Sequence, residues 1–399
     1  MKLARRLHAI KPSPTLALNA RAKALAAAGE DVVGFAAGEP DFDTPEHIKR
    51  AAIQALEEGF TKYTATAGTP ELRAAICEKL KADNALSYTP QQVVVSNGAK
   101  QCLYNFFQAV LDEGDEVIIF NPAWMSYPEM VSLAGGSPVF VPTREEDGWV
   151  PDPELFERAI GPRTRAVVLN SPSNPTGAVL SAEALGALGR VLERHPDVLV
   201  VTDDIYEKLL YTGRPFVQVL NAAPQLADRT LVVNGLSKAF AMTGWRLGYA
   251  AGPKPLISAM SMIQDQSTSN ASSLGQRAAV AALRGPMETV DLMAREFRAR
   301  RDLFVAGLQA LPGVRIRPPD GAFYLFPSFQ GLLGKRHRGK ALEGSVQLSE
   351  VLLDDYRVAA VPGKPFGGEG HLRFSFAASR DTIEKGLARL RDFVGGLSG

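Results

Sequence analysis

A series of short apolar runs, separated for the most part by helix-like stretches, constrains this chain more than any other feature. They fall at residues 93–95, 116–120, 166–169, 198–201, 231–233 and 247–251. Valine and isoleucine recur in them, and small or polar residues end them. Such runs predict strands buried on both faces, and those strands build a mainly parallel sheet with helices on both sides. The predicted fold class is α/β. Ligands of these sheets bind beyond the carboxyl ends of the strands, so the residues that end each run are where chemistry is expected.

The rest of the chain sets limits. Its 399 residues suffice for about two domains. With 46% hydrophobic and 22% charged residues it has an ordinary globular composition. A net charge of +1 creates no global field for nucleic acid or an acidic membrane, so neither is expected as a partner. Cys77 and Cys102 sit in apolar, helix-like sequence and read as buried thiols of a reducing compartment. No apolar run reaches the length of a membrane span. The opening MKLARRLHAIKPSPT lacks the apolar core of a signal peptide, which predicts an arm on a cytoplasmic protein, with a transit peptide as the alternative.

Pro12 and Pro14 predict extended chain before Thr15, and residues 17–28 a helix ended by Gly29. Residues 32–35 read as a strand. Thr44 is the expected N-cap of a helix with Pro45 in its first turn, and Thr69 caps another. Beyond about Met287 the texture changes to an α+β pattern. There a helix over 289–311 precedes hairpin strands at 314–316 and 321–326. A helix at 346–355, strands at 358–361 and 372–376, and a last helix from Arg380 follow. Residues 335–344, KRHRGKALEG, read as an exposed basic loop.

Polar residues of distinct kinds end the apolar runs. Lys238 follows one of them among Leu236, Ala239, Phe240 and Met242. A lysine in such a cleft can lose its proton and form a Schiff base with a carbonyl, whereas a solvated lysine would be only a surface charge. Gly98, Ala99 and Lys100 open a helix, where free N–H groups attract phosphate, although glycine before a helix also serves as a plain turn. Arg246 could grip a phosphate. Asp203 is either the partner of a protonated ring nitrogen or a cap or internal ion pair. Tyr206 and Trp124 suit a ring ligand or the core, and Asn174 a ligand or a turn. Arg373 in an apolar strand wants a carboxylate, from a ligand or from this chain. No histidine has metal-ligand spacing to cysteine or carboxylate. An amine nucleophile, phosphate cradle, ring stacker, ring-nitrogen partner and carboxylate clamp together suit pyridoxal phosphate acting on an amino acid.

At these residues the chain resembles the fold-type I pyridoxal-phosphate enzymes of the class I aminotransferases. The likeness is greatest to the bacterial aspartate aminotransferase branch that includes prephenate aminotransferases. The resemblance runs from about Lys11 to the C-terminal helix. It rests on AAGEPDFDTP (36–45), KYTATAGTPELR (62–73), NSPSNPTGAV (170–179), TDDIYE (202–207) and SKAFAMTGWRLGY (237–249).

The resemblance implies a seven-stranded-type, mainly parallel central sheet and a smaller α+β domain. An arm (1–14), a large cofactor domain (48–287) and a small domain from 15–47 and 288–399 would follow. Lys238 would carry the cofactor as a Schiff base and move the substrate's proton. Asp203 would hold the ring-nitrogen proton, Tyr206 and Asn174 the ring oxygen, and Trp124 the ring face. Gly98, Ala99, Lys100, Ser237 and Arg246 would bind the phosphate together with Tyr63 of the neighbouring subunit, which implies a homodimer. Arg373, Gly38 and Asn174 would hold the α-carboxylate. Lys100, Thr15 and Lys11 would read an acidic side chain, because residues 264–269, which align with the distal arginine of animal-type enzymes, contain none. Arg277 departs from a tryptophan in the family pattern.

The activity implied is amino transfer between aspartate and 2-oxoglutarate, with prephenate or aromatic oxo acids as further substrates. A C–S lyase, an aminocyclopropane-carboxylate synthase or an inactive ligand sensor on the same scaffold are the alternatives.

Overall fold

The computed structural model describes residues 1–398 apart from 9, 11 and 13, and gives Arg5, Thr15 and Leu16 by their backbone only. Helix α1 (Pro14–Ala27), the short strand β1 (Val33–Gly34) and helices α2 (Glu46–Glu57) and α3 (Pro70–Asn84) come first. Strands and helices then alternate as expected: β2 (Val93–Ser96), α4 (Ala99–Val110), β3 (Glu116–Asn121), α5 (Ser126–Leu133), β4 (Ser137–Pro142) and α6 (Pro153–Ala159). The series continues with β5 (Thr164–Asn170), α7 (Ala182–Glu193), β6 (Leu199–Asp203), α8 (Val219–Ala222), β7 (Thr230–Gly235) and β8 (Gly248–Ala251). Helices α9 (Lys254–Asp265) and α10 (Ser273–Arg284) close this half.

The strands form one seven-stranded sheet in the order β2-β8-β7-β6-β5-β3-β4. All pairs are parallel except those of β8, which runs against both neighbours. Because side chains alternate across a strand, Val94, Val117, Ile119, Val168 and Val201 face one core with Phe106 and Phe107 of α4. Val93, Val95, Ile118, Val167 and Val200 face another with Leu185 and Leu188 of α7. Each fully buried valine or isoleucine contributes about 1.5–3 kcal/mol. Strand β4 has no counterpart among the predicted runs. It is an edge strand whose two prolines and largely uncovered side chains break the apolar signature.

The chain continues with α11 (Glu288–Gln309), β9 (Tyr324–Leu325), β10 (Arg336–His337), β11 (Lys340–Ala341), α12 (Ser345–Tyr356), β12 (Val358–Ala359), β13 (Val361–Pro362), β14 (Leu372–Ser375) and α13 (Arg380–Gly395), and a second core gathers around α11, β9, α12, β12, β14 and α13. Strand β1 joins it by pairing parallel to β12, which seats Phe35 against Phe304 and Phe374.

Several local expectations change here. The predicted hairpin reduces to one bridge between Arg315 and Ser328, and β9 pairs with β14 instead. Pro318 and Pro319 between the two runs have no N–H to offer a ladder. The single strand predicted at 358–361 splits at Ala360 into β12 and β13, which have different partners. The basic loop contains the β10–β11 hairpin, with His337 buried against Asp355 at 2.7 Å. Residues Arg5–His8 form a 3-10 turn rather than extended chain. Pro45, not Thr44, is the N-cap of α2. The Thr44 hydroxyl instead donates to the Ala241 carbonyl at 2.7 Å and accepts from Trp245 Nε1 at 3.0 Å. Thr69 caps α3 as expected, accepting from the Leu72 amide. Among the described residues no helix is long and apolar enough to cross a membrane.

Candidate active site

Strand β8 starts where its neighbours end, since Gly248 pairs with both Ser96 and Gly235. Arg246, just before β8, therefore reaches the same sheet edge as Gly98 after β2 and Ser237-Lys238 after β7. Asn170 and Asp203 end β5 and β6 as register partners on that edge. Trp124 follows β3, while Arg373 and Tyr324 reach in from β14 and β9. Ser237, Lys238, Arg246, Asn170, Asp203, Trp124, Tyr324 and Arg373 line one cavity of about 400 Å³, and Gly98 is the N-cap of α4, whose Ala99 and Lys100 also line it.

Lys238 donates from Nζ to the Gly38 carbonyl at 2.5 Å. Burial lowers its pKa to about 8, Glu39 pulls it upward, and Arg373 and Arg246 push it down. Asp203 is buried and accepts from the Tyr127 hydroxyl at 2.7 Å. Burial raises its pKa, and the bonds from Tyr127 and the Ile205 amide oppose that rise. Tyr206 and Tyr324 bring their hydroxyls to 2.9 Å. Arg373 is buried, donating from Nη1 to Asn174 Oδ1 and from Nη2 to the Ala36 carbonyl, each at 3.0 Å. Its Nε is buried without a partner. The Lys100 ammonium lies 4.9 Å from the Trp124 ring centroid, and desolvation and Arg246 lower its pKa.

The cavity thus gathers Gly38, Ala99, Lys100, Trp124, Asn174, Asp203, Tyr206, Ser237, Lys238, Arg246 and Arg373. Tyr63 does not line it and is 90% exposed. Lys11 lies outside the described residues, as does the side chain of Thr15. Arg277 is away from the cavity, paired with Glu71 at 3.1 Å and set over the Phe60 ring. Tyr127, Asn170, Tyr324 and Glu39 also line the cavity; Tyr324 falls in the predicted strand 321–326 and Glu39 and Asn170 in the quoted motifs, but none of the four has a predicted role. The partners of Tyr127 and Tyr324 lie far away in sequence, so spacing carried no signal for them.

A half-buried lysine, an arginine beside a helix start and a buried arginine gathered at one sheet edge suit a cofactor-dependent enzyme of the doubly wound α/β class. A sequence model of the family described as Aminotransferase class I and II matches residues 30–390, and the chain belongs to that family. The chain is 48% identical to the aspartate/prephenate aminotransferase of Nitrosomonas europaea, over 99% of this chain and 100% of that protein. It is 47% identical to the aspartate aminotransferase of Geobacillus stearothermophilus, over 99% of each. The structure of the aspartate aminotransferase from Rhizobium meliloti superposes with a TM-score of 0.97 at 46% identity, covering all of both chains. That of Thermus thermophilus aspartate aminotransferase with maleate gives 0.92 at 47% identity, over 98% and 99%.

Enzymes of this family use pyridoxal phosphate, and the residues present fit it. A Cβ on Gly98 would fall 2.7 Å from Arg246 Nη2, so helix start and guanidinium enclose a space closed to any side chain. The amides of Ala99 and Lys100 open α4 ahead of its first backbone bond, from Gln101 to the Gly98 carbonyl, and Arg246 and Ser237 add a charge and a hydroxyl. Asp203 forms no ion pair with any described residue, which leaves its carboxylate for a cation from the ligand.

Proposed function

We propose that this chain is an aspartate aminotransferase, moving the amino group between L-aspartate and 2-oxoglutarate to give oxaloacetate and L-glutamate. Prephenate and aromatic oxo acids are further acceptors in this reading. The observation that carries it is the convergence of Lys238, Asp203 and Arg373 on one cavity, in a chain nearly half identical to aspartate aminotransferases over its whole length.

Bound pyridoxal phosphate supplies an aldehyde and a protonated ring that accepts electrons. Lys238 would anchor it through Nζ, and the amine of Lys238 would hold and move a proton at the substrate Cα. Its lowered pKa suits a base working near neutral pH. Asp203 keeps the ring nitrogen protonated, for which an acid fixed by Tyr127 is suited. Tyr206 and Asn174 hold the ring oxygen, and Trp124 covers the ring face. Gly98, Ala99, Lys100, Ser237 and Arg246 hold the phosphate. The fork of Arg373, with Nε free, takes the α-carboxylate beside Asn174 and Gly38. Lys100, with Thr15 and Lys11, reads the distal carboxylate.

Residues 48–287 act as the cofactor domain, 15–47 and 288–399 as the smaller domain, and 1–14 as an arm. The exposure of Tyr63 supports its service to a partner's phosphate site in a cytoplasmic homodimer. Purified protein given pyridoxal phosphate, aspartate and 2-oxoglutarate should yield oxaloacetate and glutamate. Absence of both products would sink the proposal. Borohydride reduction followed by peptide mass analysis should leave the cofactor on Lys238.

A further inference from the structure

The hydroxyls of Tyr206 and Tyr324 lie 2.9 Å apart in the buried wall of the cavity. Each hydroxyl has one proton to donate, so one tyrosine donates to the other and the second is left to donate elsewhere. Distance alone does not choose between the two directions. The surroundings do. Tyr324 presents its ring to the guanidinium of Arg373, whose central carbon is 4.5 Å from the ring centroid. Tyr206 presents its ring to Lys238 Nζ at 6.0 Å. The charged groups acting on the pair are Arg373, Lys238, Glu39 and Asp203.

We propose that Tyr324 is a positioning residue: its hydroxyl donates to Tyr206 and so turns the Tyr206 proton toward the ring oxygen of the cofactor, while its stacking on Arg373 ties that bond to occupancy of the carboxylate clamp. The inference rests on the reading of this cavity as a pyridoxal-phosphate site anchored at Lys238. A cation against the Tyr324 ring draws electron density from the phenol and strengthens it as a donor. A carboxylate seated on Arg373 offsets that charge and weakens the donation. Tyr324 reaches the cavity from β9 and Tyr206 from the loop after β6, and both side chains belong to the second core.

The test is a pH titration of the visible absorbance of the lysine-bound cofactor, with and without maleate as a non-reacting dicarboxylate. A hydrogen bond to the ring oxygen stabilises negative charge there, which disfavours the proton on the nitrogen joining Lys238 to the cofactor. Loss of that support raises the titration midpoint. Tyr324→Phe keeps the ring and removes the hydroxyl. It should raise the midpoint by about half to one pH unit, the size of one hydrogen bond, and shrink the shift that maleate produces. In a Tyr206→Phe background the same change should move the midpoint no further. A Tyr324→Phe midpoint and maleate shift equal to those of the native protein would overturn the inference and leave the site reading intact. Additive effects of the two substitutions would overturn it too. Absence of the visible band from the native protein loaded with cofactor would overturn both readings.

Discussion

The hydroxyl of Tyr127 donates to Asp203 Oδ2 at 2.7 Å, with both residues buried. Burial pushes the Asp203 carboxyl up toward its neutral form, and this bond is the largest influence holding it down. An aspartate that took a proton would stop attracting a protonated ring nitrogen. Tyr127→Phe fills the same space and removes only the donor. A hydrogen bond to a charged group is worth about 1.5–3 kcal/mol, so the variant should bind pyridoxal phosphate about tenfold or more weakly. Fluorescence titration of the cofactor-free protein measures this. Unchanged affinity would mean that Tyr127 merely fills the core.

The contrast between Asp203 and Tyr127 shows what the sequence disclosed. Asp203 ends a buried apolar run, so strand pattern alone put it on the ligand-binding edge. Lys238 and Gly98 were legible for the same reason; Arg246 precedes its run, and the antiparallel β8 explains why it joins them. Tyr127 and Tyr324 were not legible. Each makes its key bond to a residue 76 or 118 positions away, and an aromatic in a helix or a short strand looks like core. Short pairings failed likewise. The 314–326 hairpin looked local, yet β9 takes its partner from β14, a choice made by packing of the second core. Thr44 has the chemistry of a cap, but its hydroxyl is used by Ala241 and Trp245 of the segment after Lys238.

Lys238 should make the cofactor-free protein depend on pH in a definite direction. Burial lowers its pKa from 10.5 to about 8. Between those values the unfolded chain holds a proton that the folded chain has given up, so stability rises with pH across that window. Below about pH 8 the folded state carries the full penalty of a partly buried ammonium, on the order of 2 kcal/mol after discounting its residual exposure. Lys238→Ala should therefore stabilise the cofactor-free protein against urea at pH 7, and the gain should fade toward pH 10.5. A gain that persists undiminished at high pH would contradict this origin.

Gly98 and Gly248 should fail in different ways when given a methyl group. Gly98 has φ 91° and ψ 159°, a region that only glycine occupies readily, and its Cβ would meet the mobile end of Arg246. Gly98→Ala should cost about 1–3 kcal/mol of stability and weaken cofactor binding by displacing the guanidinium. At Gly248 the Cβ would lie 2.2 Å from the Ala99 backbone nitrogen, which cannot swing aside. Gly248→Ala should push α4 off the sheet and give little soluble protein. Soluble yield, urea midpoint and cofactor affinity, measured for both variants, would expose the reverse pattern if it held.

Glu207, next to Tyr206, is fixed by a buried ion pair with Lys79 of α3. Asn84 completes the unit, donating to Glu207 Oε2 at 2.7 Å and accepting from Lys79 at 2.7 Å. Both charged side chains are more than nine-tenths buried, so removing one strands the other. Asp83, 3.5 Å from Lys79 and paired with Lys208, offsets only part of that loss. Glu207→Leu should therefore destabilise the protein by about 3–5 kcal/mol, whereas an apolar pair of similar volume avoids the unpaired charge. Lys79→Met combined with Glu207→Leu should recover more than half of the loss, read as the urea midpoint with cofactor bound. Recovery would mean that the pair acts as one unit, anchoring the loop that carries Tyr206 to α3. Simple addition of the two losses would mean that each side chain is held by its other neighbours, and that the loop is positioned by the sheet alone.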